Sequence, residues 1–257
     1  MDMSVLFSDI RSYTALSERM TPRQNLEFIN AYLSHVSPVV RAHGGIIEQY
    51  YGDGFKALFA GGVEYAIGAA IDLRRAVVRY NAQRRGAGEP DIDIGVGVHT
   101  GPLLLGAIGD ADRMAVAIMS DIVNTTSRLE GLTKLYGVGI VVSEQVVRQL
   151  PDPTRFEFKY LGKVQVKGKT ETLSVYEVFV GEPEHVIELK RVTRADFEEG
   201  LRLYYARRFV EASEHFNRVL VLVTDDRAAQ LYSQRARECL TDGTPLGWCG
   251  VEVLSEK

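Results

Sequence analysis

The chain has 257 residues, of which 46% are hydrophobic and 25% charged, and carries 24 glycines, 8 prolines and 2 cysteines. These values are ordinary for a globular chain of one large domain, or of a domain with a smaller appendage, and exclude a disordered, collagen-like or disulfide-stapled protein. The formal net charge of −4, from 30 basic and 34 acidic residues, provides no basic field for nucleic acid, and no apolar run reaches the ~20 residues that cross a bilayer.

The first apolar run, Met3–Phe7, reads as a buried strand ending in Ser8-Asp9. It begins almost at once, as expected of a domain cut from a longer chain. A helix is predicted over about Thr21–His43, with Pro22 in its first turn and Leu26, Ile29, Leu33, Val36 and Val40 at helical spacing; Gly44-Gly45 stops it. Ile46–Tyr51 and Phe55–Ala60, joined by Gly52-Asp53-Gly54, carry a hairpin signature. Val63–Arg85 reads as a second long helix, and Ile92–Val98 and Leu103–Ile108 as a strand pair around Thr100-Gly101-Pro102. Ser120–Leu135 is a third helix, Ile140–Val142 a short strand, and Phe156–Tyr160 and Leu173–Val180 are strands flanking a lysine-rich turn. Hairpin-paired strands mixed with helices imply an α+β fold, a mostly antiparallel sheet flanked by helices.

Gly181–Val192, with Pro183 and mixed charges, is expected to be a linker between a domain over residues 1–180 and a small all-helical extension over 193–257. In that extension Gly200, Phe209, Ala212 and Phe216 fall at the spacings of a tetratricopeptide unit, and an ordinary helical hairpin fits as well. One such unit cannot bury both its faces, so it should pack on the first domain or on a protein partner. Cys239 and Cys249 are too few for a disulfide framework and fit a reducing, cytoplasmic setting.

Two acids stand out. Asp9 closes a strand and Asp53 sits in a tight turn; on adjacent strands both would meet at one sheet edge and offer oxygen ligands to Mg²⁺. The plain alternatives are a helix cap and a turn residue. Asn124 and Arg128 are four apart and share a helix face, either a sugar and phosphate clamp or a solvated polar face. Lys163, Lys167 and Lys169 crowd a loop where one lysine would reach a triphosphate, although exposed turn lysines usually do nothing specific. His35, His43 and His99 read as structural.

In combination these segments resemble the class III nucleotidyl cyclase family. The resemblance rests on Phe7-Ser-Asp9-Ile10-Arg-Ser-Tyr-Thr14, Tyr51-Gly52-Asp53, Gly97-Val-His99-Thr-Gly101-x4-Gly106-x2-Gly109-x3-Arg113, and Ser120-Asp121-Ile-Val123-Asn124-x3-Arg128-Leu129-Glu130, and covers about residues 3–180. It implies a ferredoxin-like, palm-type sheet and the conversion of ATP, ahead of GTP, to a 3′,5′-cyclic monophosphate and pyrophosphate. It also implies two Mg²⁺ or Mn²⁺ per site on Asp9, Asp53 and the Ile10 carbonyl, with the amides after Asp9 cradling the triphosphate. Asn124 would orient the ribose, Arg128 would stabilise the α-phosphoryl group, Lys167 would hold the triphosphate and Arg113 would touch its terminal phosphates. The family works as a head-to-tail dimer, so a homodimer of this chain would share each site between Asp9 and Asp53 of one subunit and Asn124, Arg128 and Lys167 of the other.

The base-reading positions depart from the family. Its ATP-using members carry Lys where this chain has Gln49 and Asp or Thr where it has Ala117, and its GTP-using members carry Glu and Cys there. Gln49 can donate and accept, whereas Ala117 offers no hydrogen bond. These two departures motivate an alternative, a catalytically silent nucleotide-binding or dimerisation module. Lys56 also stands where the family usually has an apolar residue.

Overall fold

A computed structural model describes residues 2–109, 114–166, 171–244 and 247–254. The chain opens with β1 (Asp2–Ile10), the short helix α1 (Tyr13–Ser17) and α2 (Pro22–Ala42). Thr21 and Gln24 close a reciprocal capping box at the start of α2, which fixes where that helix begins. The hairpin β2 (Ile46–Tyr51) and β3 (Gly54–Phe59) follows as expected, then α3 (Val63–Gly86) and β4 (Ile94–Pro102).

The expected pairing of Ile92–Val98 with Leu103–Ile108 is not formed. β4 lies between β1 and β7 (Ile140–Ser143), while β5 (Leu104–Gly109) pairs with β6 (Met114–Met119), a strand not anticipated from the sequence, in a separate two-stranded ribbon. Ile94, Val96 and Val98 on one face have no exposure at all, Gly95, Gly97 and His99 on the other are buried too, and a strand buried on both faces belongs in the middle of a sheet, with a partner on each side. After the ribbon come α4 (Asp121–Tyr136), β7, the short α5 (Glu144–Arg148), β8 (Phe158–Val166) and β9 (Thr172–Val178). The main sheet has the order β10-β8-β9-β7-β4-β1-β3-β2. It is antiparallel apart from the β4·β7 and β10·β8 pairs.

Its two faces are covered differently. On one, Leu6, Ile10, Phe55, Ala57 and Phe59 pack under Tyr32, Val36 and Val40 of α2 and Ile67, Ala70 and Leu73 of α3. On the other, α4 and the C-terminal helices α6 (Glu184–Tyr205), α7 (Phe209–Leu222) and α8 (Arg227–Asp242) bury Val141, Val164, Leu173 and Val175. Among the described residues, the β1–β3–β2 end of that second face carries a small cluster of Met3, Val5, Leu58, Leu103 and Ile122. Ile46, at 69%, and Tyr51, at 44%, stay exposed there. Among the described residues no helix is long and apolar enough to cross a membrane.

Two expectations for the C-terminal part are corrected. The stretch read as a linker over Gly181–Val192 is mostly helix, because α6 starts at Glu184 directly after Pro183. The mixed charges there are helix-face pairs, with Arg191 bonded to Glu157 of the sheet domain at 2.9 Å and to Glu184 and Glu188 at 3.3 Å. The extension is also not all-helical, since β10 (Glu252–Leu254) adds in parallel to Val164–Val166 of β8. A helical hairpin is present in α6–α7, where a side-chain Cβ at Gly200 would lie 2.8 Å from the Phe216 ring.

The extension is joined to the sheet by buried charge. Lys159 of β8, 1% exposed, donates to Asp226 Oδ2 at 2.7 Å and lies 4.0 Å from the centroid of the Phe197 ring. Asp226 Oδ1 also accepts from the Ala229 amide at 2.9 Å and so caps α8. Burial opposes ionisation of Asp226, yet Lys159, the Ala229 amide and Lys190 together hold its carboxyl below the usual range. Asp226→Ala leaves a buried ammonium unpaired and removes the cap, so it should cost about 3–5 kcal/mol in urea denaturation. The double variant Lys159→Met with Asp226→Asn, which removes both charges and keeps a capping side chain, should lose less than that single change.

Candidate active site

Asp9 and Asp53 are brought together by strand pairing. β1 is antiparallel to β3 with Ser8 opposite Phe55, and to β4 with Asp9 opposite Gly95. Asp53 sits in the turn between β2 and β3 after Gly52, whose φ of +62° suits glycine. At Gly54 a Cβ would lie 2.8 Å from the Ser8 carbonyl oxygen and 2.9 Å from Asp9 Oδ1, so the turn closes on β1 only because that side chain is missing. The Ile10 amide donates to Asp53 Oδ2 at 3.2 Å.

Burial, a hydrogen bond to Asp9 and the charge of Asp9 push the Asp53 carboxyl up to about 7. Beneath them the fully buried Tyr32 phenol is raised by burial first and then by both aspartates. Two carboxyls in contact that cannot both ionise cheaply share a proton, and a divalent cation is the other species that reconciles them. Among the described residues no three His, Cys, Asp or Glu side chains cluster to hold a metal. The pair and the Ile10 carbonyl thus fit the Mg²⁺ pattern, in which few protein oxygens are completed by water and substrate phosphates.

The two aspartates open into a cleft of about 1060 Å³ that runs past Arg11 and Glu130 to Lys190 of α6. Arg11 and Glu130 were not singled out from the sequence, although both stand inside the motifs quoted above. Arg11 Nη2 donates to the Val138 carbonyl at 2.9 Å. Burial lowers the Arg11 guanidinium, while Glu130 and Asp93 hold it charged. β4 presents glycines where α4 lies: a Cβ at Gly95 would be 2.4 Å from Thr133 Oγ1, and one at Gly97 2.4 Å from the Glu130 amide nitrogen. Those glycines let the helix carrying Asn124, Arg128 and Glu130 sit directly on the sheet.

Asn124 is exposed and Arg128 half-buried on α4. Neither lines the cleft beside Asp9 and Asp53, so one copy of the chain does not bring the two sets together. Ser120 caps α4 by accepting from the Ile122 amide at 3.2 Å and donates to the Pro102 carbonyl at 2.7 Å. Gln49 is exposed on β2, and Ala117 stands opposite Gly106 in the β5–β6 ribbon. Arg113, Lys167 and Lys169 lie outside the described residues. Lys163 is on β8, with its ammonium 5.7 Å from the centroid of the Tyr205 ring. His35, His43 and His99 are each hydrogen-bonded within the fold, His99 to Ser143 Oγ at 2.7 Å.

Comparison with known proteins points one way. Residues 1–179 match the family described as Adenylate and Guanylate cyclase catalytic domain. The chain is 41% identical over 182 residues to an adenylate cyclase of Anabaena cylindrica, an alignment covering 68% of this chain and 36% of the relative. It is 29% identical over 239 residues to the terminal-differentiation specific adenylate cyclase of Dictyostelium discoideum, covering 91% of this chain and 11% of that one. The chain therefore spans about a third or less of the length of these curated relatives. Among solved structures, the guanylyl cyclase Cya2 superposes with a TM-score of 0.62 at 28% identity, over 72% of this chain and 95% of that one. The adenylyl cyclase CyaB from P. aeruginosa gives 0.61 at 27%, over 69% and 93%.

A pH and cation dependence follows from the carboxyl pair. The Asp53 carboxyl is raised in the fold from 3.8 to about 7, so its contribution to stability is present below pH ~4 and lost as pH rises through ~7. Without divalent cation, the part of the thermal midpoint due to this pair should fall between pH 5 and pH 8. Mn²⁺ should raise the midpoint more at pH 8 than at pH 5, and Asp53→Asn should flatten both dependences in thermal melts.

Proposed function

The chain belongs to the adenylate and guanylate cyclase catalytic domain family, and from that membership we propose that it converts a purine nucleoside triphosphate, ATP ahead of GTP, into the 3′,5′-cyclic monophosphate and pyrophosphate. The observation that carries this reading is the convergence of Asp9 and Asp53 in the lining of one cleft, where burial first and Asp9 second raise the Asp53 carboxyl to about 7. The separation of Asn124 and Arg128 from that cleft in a single copy supports a homodimer in which each site is built from two subunits.

Asp9, Asp53 and the Ile10 carbonyl would hold two Mg²⁺ or Mn²⁺, which when bound supply Lewis-acid activation of the 3′-hydroxyl and charge neutralisation on the phosphates. The amides that follow Asp9 cradle the triphosphate. Asn124 of the second subunit orients the ribose so that its 3′-oxygen stands in line with the α-phosphorus, a positioning effect. The 3′-oxygen forms the new bond to phosphorus as the bond to pyrophosphate breaks, and the hydroxyl proton leaves to solvent. Arg128 carries the charge that builds on the α-phosphoryl oxygens, a role worth ~10³–10⁵-fold in phosphoryl transfer. Lys167 and Arg113 hold the terminal phosphates, and Gln49 and Ala117 flank the base. Asp53 and Arg128 are thus essential in different subunits.

We read the α6–α7 hairpin as tetratricopeptide-like, with Gly200 against Phe216, and as a surface for a protein partner. Gln49 and Ala117, which match neither usual base-reading pair, favour a second reading: a silent nucleotide-binding or dimerisation module.

Incubation with ATP or GTP and Mg²⁺ or Mn²⁺, followed by chromatography, separates the two. The cyclase reading expects a cyclic monophosphate and pyrophosphate in equal amounts, and a loss of about 10³-fold or more in Arg128→Ala. Absence of cyclic product from dimeric wild-type protein under every condition sinks it in favour of the silent module.

A further inference from the structure

Lys56 has no apolar reason to be where it is, and its neighbours explain it. It stands opposite Gln49 on β2 and opposite Phe7 on β1, so the three side chains share one face of the sheet, and Tyr51 joins them two residues beyond Gln49. The register shift between Ile47 and Gln49 brings Glu48 to this group, with Glu48 Oε2 2.7 Å from Lys56 Nζ. Lys56 is 5% exposed, and its ammonium lies 5.7 Å from the centroid of the Tyr51 ring. That ring stacks on Phe7, with centroids 6.0 Å apart and planes 19° from parallel. The Tyr51 hydroxyl donates to Gln49 Oε1 at 2.7 Å. Burial works against the Lys56 charge, but Glu48 and Tyr51 outweigh it and hold the group protonated. The result is a directed chain: the Lys56 ammonium pairs with the Glu48 carboxylate and lies against Tyr51, and the Tyr51 hydroxyl gives its proton to the amide oxygen of Gln49.

We propose that Tyr51, backed by Lys56 and Glu48, is a positioning residue that turns the Gln49 carbonyl toward the protein and its NH₂ toward the substrate, so that Gln49 reads the purine as a donor and selects adenine. The proposal rests on the cyclase reading above, in which Gln49 faces the base. Adenine presents an acceptor at N1 and guanine an N–H donor. An outward NH₂ meets the first and opposes the second. A guanine that gives its O6 to that NH₂ still leaves its N1–H unpaired, because Tyr51 turns Gln49 Oε1 away from the base; an unpaired buried polar group is what makes a site reject the wrong substrate. A free glutamine would rotate its amide and serve either base, since it can donate and accept. In this chain it is tied, and Lys56 is the reason the tying tyrosine is itself fixed.

The test is the ratio of kcat/KM for ATP to that for GTP in wild type, Tyr51→Phe and Tyr51→Phe with Gln49→Lys. Tyr51→Phe keeps the stack on Phe7 and removes only the hydroxyl, so the ratio should fall about three- to tenfold, through a higher KM for ATP and a lower one for GTP. Replacing Gln49 by lysine in that background restores a group that can only donate, and should return the ratio to the ATP side. A ratio unchanged by Tyr51→Phe while wild type turns over overturns the positioning role alone. Wild type giving no cyclic nucleotide from either substrate overturns the cyclase reading and this proposal with it.

Discussion

The site depends on one unfavourable contact, the approach of two carboxyls where β1 passes the β2–β3 turn. Burial first, and then the hydrogen bond and charge of Asp9, lift the Asp53 carboxyl to about 7. The surrounding structure imposes that contact. The left-handed backbone at Gly52 reverses the chain, the bare Cα of Gly54 lets the turn close to within van der Waals range of Asp9, and the Ile10 amide ties Asp53 to the strand end. Below them Phe55, Ala57, Leu6 and Ile10 are packed under α2 and α3, so the strands cannot drift apart to relieve the repulsion. Two carboxyls held in contact by a rigid core can share a proton or take a cation between them.

The uneven covering of the sheet decides what else the site can contain. The C-terminal helices close the second face over β7, β8 and β9, anchored by the buried Lys159–Asp226 pair and capped at the edge by β10. They stop short of β1, β3 and β2. There Phe7, Lys56, Gln49 and Tyr51 form a polar and aromatic surface beside the two aspartates, with Ile46 of the same strand pair exposed. Asn124 and Arg128 sit on α4, away from the acid cleft of their own chain. An open half-site on one element and the complementary groups on another are what an isologous pair of subunits brings together.

Much of this was legible in the sequence because the signals were local. The capping box at Thr21, the Gly52-Asp53-Gly54 turn and the helical periodicity of α2, α3 and α4 each report a short-range constraint, and each element formed within a few residues of its expected span. What was not legible came from distant partners. β4 looked like half of a hairpin with β5, but burial on both faces placed it between β1 and β7. The charges of Gly181–Val192 resembled a solvated linker until Arg191 found Glu157, 34 positions away in the sheet domain. Lys56 had no explanation along the chain; its meaning lies across the strands, in Gln49, Glu48 and Tyr51. The roles proposed for Asn124 and Arg128 rest on the family resemblance, since four-residue spacing on a helix does not say what faces it.

The measurement that bears most directly on a site split between two copies is mixing two inactive variants, Asp53→Asn and Arg128→Ala, and assaying cyclic nucleotide formation. Heterodimers then contain one site with both defects and one with neither. An equimolar mixture should recover about a quarter of wild-type activity, from half the dimers each carrying one intact site. A mixture of dimerising variants that stays as inactive as its components would contradict the account.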